Sequence, residues 1–211
     1  MADTLTPVHP LDTWREAFAA LPDGLEITAE PLTAATDLRL DPAATETVTD
    51  LLGAAVPTVP DTWVATPTGR IVWLGPDEWL VQSNAHAPQE LESALRAAAT
   101  RGGVPSDGVD PAPDPGRVAA TGAAVDVSAQ RTELRLAGPL VRELLALGCA
   151  LDLHPSVFPP GTCAQTTVGQ VGVVLIATDD AFHILVRPSF AGHLAAWLLD
   201  AATEFTPEEP W

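Results

Sequence analysis

Lysine and tyrosine are absent from this 211-residue chain, and Asn84 is its single asparagine. All 10 basic residues are therefore arginines, and against 28 acidic residues they leave a formal net charge of −18. A GC-rich genome produces such a bias toward Ala, Gly, Pro and Arg, so no function is read from it. The shortage of cations does exclude functions. Neutralising nucleic-acid phosphates takes clusters of Lys and Arg, and the chain has none. An anionic membrane surface is excluded on the same ground. Long apolar runs are also missing: stretches such as Val171 to Ala177 fall far short of the roughly 20 residues that cross a bilayer. The opening Met-Ala-Asp, with Pro7 and Pro10 behind it, has neither the basic nor the apolar region of a signal peptide, so a cytoplasmic location is expected.

Cysteine is sparse. Cys149 and Cys163 stand alone, and a reducing compartment makes a disulfide between them unexpected. His154 lies between them, but no C-x-x-C or H-x-x-x-H pair supplies zinc-ligand spacing, so both are read as buried free thiols.

What is present is 46% hydrophobic residues, enough for a packed core. Leu11, Trp14, Phe18 and Leu21 recur at helical spacing. Leu25 to Glu30 and Asp37 to Leu40 alternate as strands, and Asp41-Pro42 opens a helix running to about Leu52, with Gly53 as its stop. Thr62 to Ala65 reads as a strand. Arg70 to Leu74 and Trp79 to Gln82 flank a Gly75-Pro76-Asp77-Glu78 turn as a hairpin. Pro88 opens a helix with Leu91, Leu95 and Ala98 on one face. Residues 102–122, rich in Pro and Gly, read as a connector loop. Beyond it the pattern restarts: strands at Val125 to Val127 and Thr132 to Leu136, then a helix from Gly138-Pro139 to Gly148. A strand at Cys163 to Val168 follows, then a hairpin of Val171 to Ile176 and Phe182 to Val186 around Asp179-Asp180. The final helix is capped by Ser189, with Phe190, Leu194, Trp197, Leu198 and Ala201 on one face.

The two halves correspond. Thr36-Asp37-Leu38-Arg39-Leu40 matches Thr132-Glu133-Leu134-Arg135-Leu136, Gly53 matches Gly148, Trp79-Leu80-Val81 matches Ile184-Leu185-Val186, and Pro88 matches Ser189. Four matches in one order indicate an internal repeat. The chain is thus expected to be a single α+β domain, 1–211, of duplicated β2-α-β3-α units with largely antiparallel sheets covered by helices. The first repeat spans about 1–101, the linker 102–122, the second repeat 123–202 and an acidic tail 203–211. A doubly wound dinucleotide fold fits badly, because no G-x-G-x-x-G follows a first strand.

No complete catalytic constellation is visible. The five histidines are scattered, G-x-S-x-G is absent, and Ser128, Ser156 and Ser189 read as turn or cap residues. His183, between Phe182 and Ile184, reads as structural. The pairs Asp77-Glu78 and Asp179-Asp180 fall on equivalent turns, the ordinary home of exposed carboxylates. Trp63, Trp73 and Trp79 cluster around one hairpin and read as core or subunit-interface residues rather than a stacking platform for a pterin or flavin.

Several segments resemble one family in order. Leu74-Gly75-Pro76-Asp77-Glu78-Trp79-Leu80 is similar to a segment of the gamma subunits of heterotetrameric sarcosine oxidase. So are Asp126-Val127-Ser128 with Arg131-Thr132, Leu136-Ala137-Gly138-Pro139, the run Leu151 to Thr166, Arg187-Pro188-Ser189-Phe190-Ala191 and Trp197 to Ala201. The resemblance implies the folate-binding-domain (aminomethyltransferase-like) fold. It implies a non-catalytic, assembly role in a complex that demethylates sarcosine to glycine, forming hydrogen peroxide and methylene-tetrahydrofolate or formaldehyde. It places FAD, FMN, NAD, zinc and tetrahydrofolate on the alpha, beta and delta partner subunits and none on this chain. Trp73, Trp79, Asp152, His154, Phe158 and Gln165 are then candidate partner-contact residues. Two alternatives stay open. One is a stand-alone tetrahydrofolate-binding one-carbon protein, for which Gly161-Thr162-Cys163-Ala164-Gln165 loosely echoes a related K-G-C-Y-x-G-Q-E segment without its lysine and tyrosine. The other is an interaction module of another amine-oxidising complex.

Overall fold

The computed structural model describes residues 8–101 and 122–206; Gly122 apart, the connector 102–122 lies outside them, as do residues 207–211 of the acidic tail. The chain forms two compact units, Met1–Leu32 with Ala129–Trp211, and Thr33–Ser128.

Each unit holds one five-stranded antiparallel sheet. In Thr33–Ser128 the strands are β2 (Ala34–Arg39), β3 (Trp63–Thr66), β4 (Gly69–Gly75), β5 (Glu78–Ser83) and β6 (Ala123–Asp126), in the spatial order β3-β4-β5-β2-β6. In the other unit they are β1 (Glu26–Ala29), β7 (Thr132–Ala137), β8 (Cys163–Val168), β9 (Val171–Ala177) and β10 (Ala181–Val186), ordered β1-β7-β10-β9-β8. Along the chain the order strand-strand-helix-three strands-helix occurs twice. The first strand of each run pairs inside the other run's sheet: β1 on β7, and β6 on β2. The mixed α+β class with antiparallel sheets is as expected.

Alternation builds both cores. In one unit Leu38 of β2, Ile71 of β4 and Trp79 and Val81 of β5 meet Leu91, Leu95 and Ala98 of the helix Pro88–Arg101. In the other, Leu134, Leu136, Ile184, Val186, Val173 and Leu175 meet Leu144 and Leu145 of a short helix (Val141–Ala146) and Leu194 and Leu198 of a long one (Pro188–Ala202). Burying these chains is the main force holding each unit.

Three expectations are corrected. The helix expected over 42–52 is a 3-10 helix from Pro42 to Val48, and only Thr49–Leu52 is α-helical. The cause is local. Asp41 caps Ala43 N at 2.9 Å, and the hydroxyls of Thr45 and Thr47 turn back onto the carbonyls of Pro42 and Ala44 in a run of β-branched residues. Gly53 ends the segment at φ +66°, as its residue type predicts. Ser189 does not cap the last helix: Arg187 occupies the cap position and Pro188 the first turn, the place where a missing N–H is harmless. Nor does Phe190 belong to the inner face. It is 51% exposed, and Ala191, Leu194, Ala195, Leu198 and Ala202 form that face.

Two close approaches in this unit require glycine. Gly138, at φ +109°, lies where a Cβ would stand 2.2 Å from the Gly24 carbonyl oxygen. β8 and β9 are joined by Gly169-Gln170, both left-handed (φ +54° and +68°), the twist that two-residue hairpins favour. The Trp197 ring lies against Gly148 and Gly169, whose Cβ atoms would approach it to 2.3 and 2.6 Å.

Candidate functional site

The six candidate contact residues fall into two sets. Trp73 and Trp79 are cross-strand partners on β4 and β5, beside a bulge at Trp73/Gly75. Trp79 is 1% exposed and donates its indole N–H to Pro57 O at 2.7 Å, so it holds the proline-rich entry to β3. Trp73 is half-buried and packs on the same core.

Asp152, His154, Phe158 and Gln165 belong to the other unit. The loop between Val141–Ala146 and β8 is anchored by buried Leu153 and Phe158. Phe158 stacks on Phe182 at 6.2 Å between centroids, and the Arg142 guanidinium lies 4.7 Å over the Phe182 ring. Arg142 also donates to the carbonyls of Leu153 and Phe158. Sequence reading missed this clamp, because an arginine in a leucine-rich helix carries no sign of which loop it will hold. The clamp leaves Asp152, His154, Pro155, Ser156 and Val157 exposed on an ordered turn. Gln165 is exposed on β8.

Asp152, His154 and Ser156 supply the residue types of a hydrolytic triad without its wiring. The Asp152 carboxylate accepts the backbone N–H of His154 at 2.9 Å, not the ring. Nδ1 of His154 faces the Ser156 hydroxyl at 2.7 Å, whereas a triad puts carboxylate and hydroxyl on opposite ring nitrogens. The arrangement is a turn. His183 is held by Glu133 at 2.6 Å, both side chains mostly buried, in keeping with a structural histidine. Cys149 and Cys163 are buried free thiols. Among the described residues no group of three His, Cys, Asp or Glu side chains could hold a metal ion, and no helix is long and apolar enough to cross a membrane.

The acidic turns have partners that spacing did not reveal. Arg39 reaches Glu78 at 2.6 Å, and Arg135 reaches Asp180 at 2.7 Å, each arginine coming from the matching T-(D/E)-L-R-L strand. The two carboxylates respond in opposite ways. Burial, then the neighbouring Asp37, pushes Glu78 up despite Arg39. The hydrogen bond from Arg135, then that from Thr178, holds Asp180 below the usual range.

The profile of the family "Sarcosine oxidase, gamma subunit family" matches residues 118–204. Sarcosine oxidase subunit gamma of Corynebacterium sp. (strain U-96) is 32% identical over 181 residues, 84% of this chain and 70% of that protein. This chain belongs to the sarcosine oxidase gamma subunit family. Another gamma subunit, from Corynebacterium sp. (strain P-1), is 36% identical over 139 residues, and there the match spans 65% of this chain but only 59% of that protein. A chain of the heterotetrameric sarcosine oxidase from Corynebacterium sp. U-96, solved with pyrrole 2-carboxylate, aligns at TM-score 0.79 and 27% identity, covering 97% of this chain and 99% of that one. The glycine cleavage system aminomethyltransferase T from Bartonella henselae is 13% identical with TM-score 0.56 over 88% of this chain and 48% of its own, a likeness of fold alone. In this chain the segments quoted above become the Trp79 core, the Arg142-clamped loop and the start of the last helix.

Proposed function

We propose that this chain is the non-catalytic gamma subunit of a heterotetrameric sarcosine oxidase, with a structural role in assembly. The end-to-end match to a chain of that heterotetramer carries the reading. On it, alpha, beta and delta subunits are the partners, and the flavins, NAD, zinc and tetrahydrofolate reside there. The recurring element order is a duplication of a folate-binding-type β2-α-β3-α unit, about 1–101 and 123–202, whose copies have exchanged their first strands. On this reading the chain keeps the scaffold without the ligand chemistry: its histidines and thiols are tied into core and turn contacts, and among the described residues none is left poised for proton or methyl transfer. The location is cytoplasmic.

Co-expression with the partner subunits, followed by sizing and an absorbance spectrum, tests the proposal. The chain is expected to elute with the larger subunits, while the purified chain alone is colourless. Micromolar binding of tetrahydrofolate by the isolated chain in calorimetry, with no partner recovered, would overturn the reading.

A further inference from the structure

One face of the β7–β10–β9–β8 sheet ends in a row of residues set by register. Thr132 pairs with Val186, and Val186 with Val173. One residue beyond those rungs stand Arg131, Arg187 and Gly172, and Gly172 pairs with Thr167 on β8. Side chains alternate along strands, so these four share a face, with Gln165 in the next row. Arg131, Gln165, Thr167, Gly172 and Arg187 line one groove of about 530 Å3.

Three features of the groove point to an anion. Gly172 forms its floor, and a Cβ there would meet nothing within 4 Å, so the space between the arginines and Thr167 is open. Two guanidinium groups approach it from adjacent strands, where like charges oppose one another unless a carboxylate joins them. Arg131 is half-buried and already engaged in an interaction of its own. Arg187 is exposed, and among the described residues its guanidinium has no hydrogen-bond or ion-pair partner. In a chain of net charge −18 that is unusual, since Arg15, Arg39, Arg70, Arg96, Arg135 and Arg142 are each held by an acid, a carbonyl or an amide.

The groove is shallow. Gln165, Thr167, Gly172 and Arg187 all face solvent, whereas small-molecule sites enclose most of their ligand. Phe190, three residues past Arg187, adds an exposed aromatic of the kind that anchors protein interfaces.

We infer that this groove is a docking site for an acidic side chain on a partner subunit, with Arg187 as the reaching arm and Arg131, Thr167 and Gln165 as its frame. The inference rests on the assembly proposed above and says which surface makes the contact. The test is co-purification of the full chain with its co-expressed partner subunits over a salt series. Wild type is expected to be retained at low salt and released as NaCl rises. Arg187→Glu is expected to weaken retention at least ten-fold. Gly172→Glu, which puts a carboxylate into the groove, should do the same. Both variants should keep the wild-type melting temperature, because both positions are exposed, Gly172 has no side chain to lose and Arg187 makes no hydrogen bond or ion pair among the described residues. Retention of both variants equal to wild type at every salt concentration overturns the docking site and leaves the assembly role intact. Failure of wild type itself to co-purify overturns both.

Discussion

Thr36 and Thr132 hold matching places in their two strands, yet one hydroxyl is satisfied and the other is not. Thr132 Oγ1 lies 3.0 Å from His9 Nε2. Because Leu11 N donates to His9 Nδ1 at 3.1 Å, the ring proton sits on Nε2 and points at Thr132. Thr36 Oγ1 is equally buried and has no partner among the described residues. An unmet buried hydroxyl costs about 1–3 kcal/mol. Thr36→Val is therefore expected to raise stability by about 1 kcal/mol, and Thr132→Val to lower it by a similar amount, read from urea melts of the two variants. The same matched strands give opposite pH behaviour at their acidic turns. Glu78 is raised, so its contribution to stability is full below the unfolded value of about 4.3 and is lost as pH rises through its folded value. Asp180 is lowered, so its contribution is present above about 3.9 and lost as pH falls through its folded value. Glu78→Gln should flatten the decline in melting temperature as pH rises above about 4.3, and Asp180→Asn should leave that limb unchanged while removing part of the decline as pH falls below about 3.9.

At the scale of elements, the β8–β9 hairpin combines a requirement and a strain. Gly169 must be glycine, because a Cβ would enter the Trp197 ring and its φ is positive. Gln170 adopts the left-handed region without that freedom. Gly169→Ala is expected to lose about 2–4 kcal/mol from overpacking and backbone strain, and Gln170→Gly to gain up to about 1 kcal/mol. Thermal melts of the single variants check both values. The strands on either side were legible, since Val, Ile, Leu and Phe alternate with clear stops at Gly and Asp. The hairpins around Pro76-Asp77 and Asp179-Asp180 announced themselves for the same reason. What stayed hidden depends on distance in sequence. Nothing local pairs Arg39 with Glu78, seats Trp197 on Gly148, or brings Arg131 beside Arg187. The 3-10 segment after Asp41 was missed because its apolar spacing looks helical, while its threonines compete for the backbone.

At the scale of the molecule, the repeat was legible but the exchange of first strands was not. Order along a chain says nothing of which sheet a strand will join. The exchange makes a prediction about fragments. Residues 33–128 contain all five strands of their sheet, whereas 1–101 carries β1 without β7 and lacks β6. The 33–128 fragment is expected to resist limited proteolysis better than 1–101; equal protection of 1–101 would contradict the strand assignments. The exchange also bears on synthesis. When β1 leaves the ribosome, β7, its sheet partner among the described residues, has not been made, and at about 5–20 residues per second β7 follows roughly 5–20 s later. For that interval Glu26–Ala29 is an unpaired edge, open to any other strand nearby. Its short length and its alternating polar residues, Glu26 and Thr28, are what keep the nascent chain from joining the wrong neighbour while it waits.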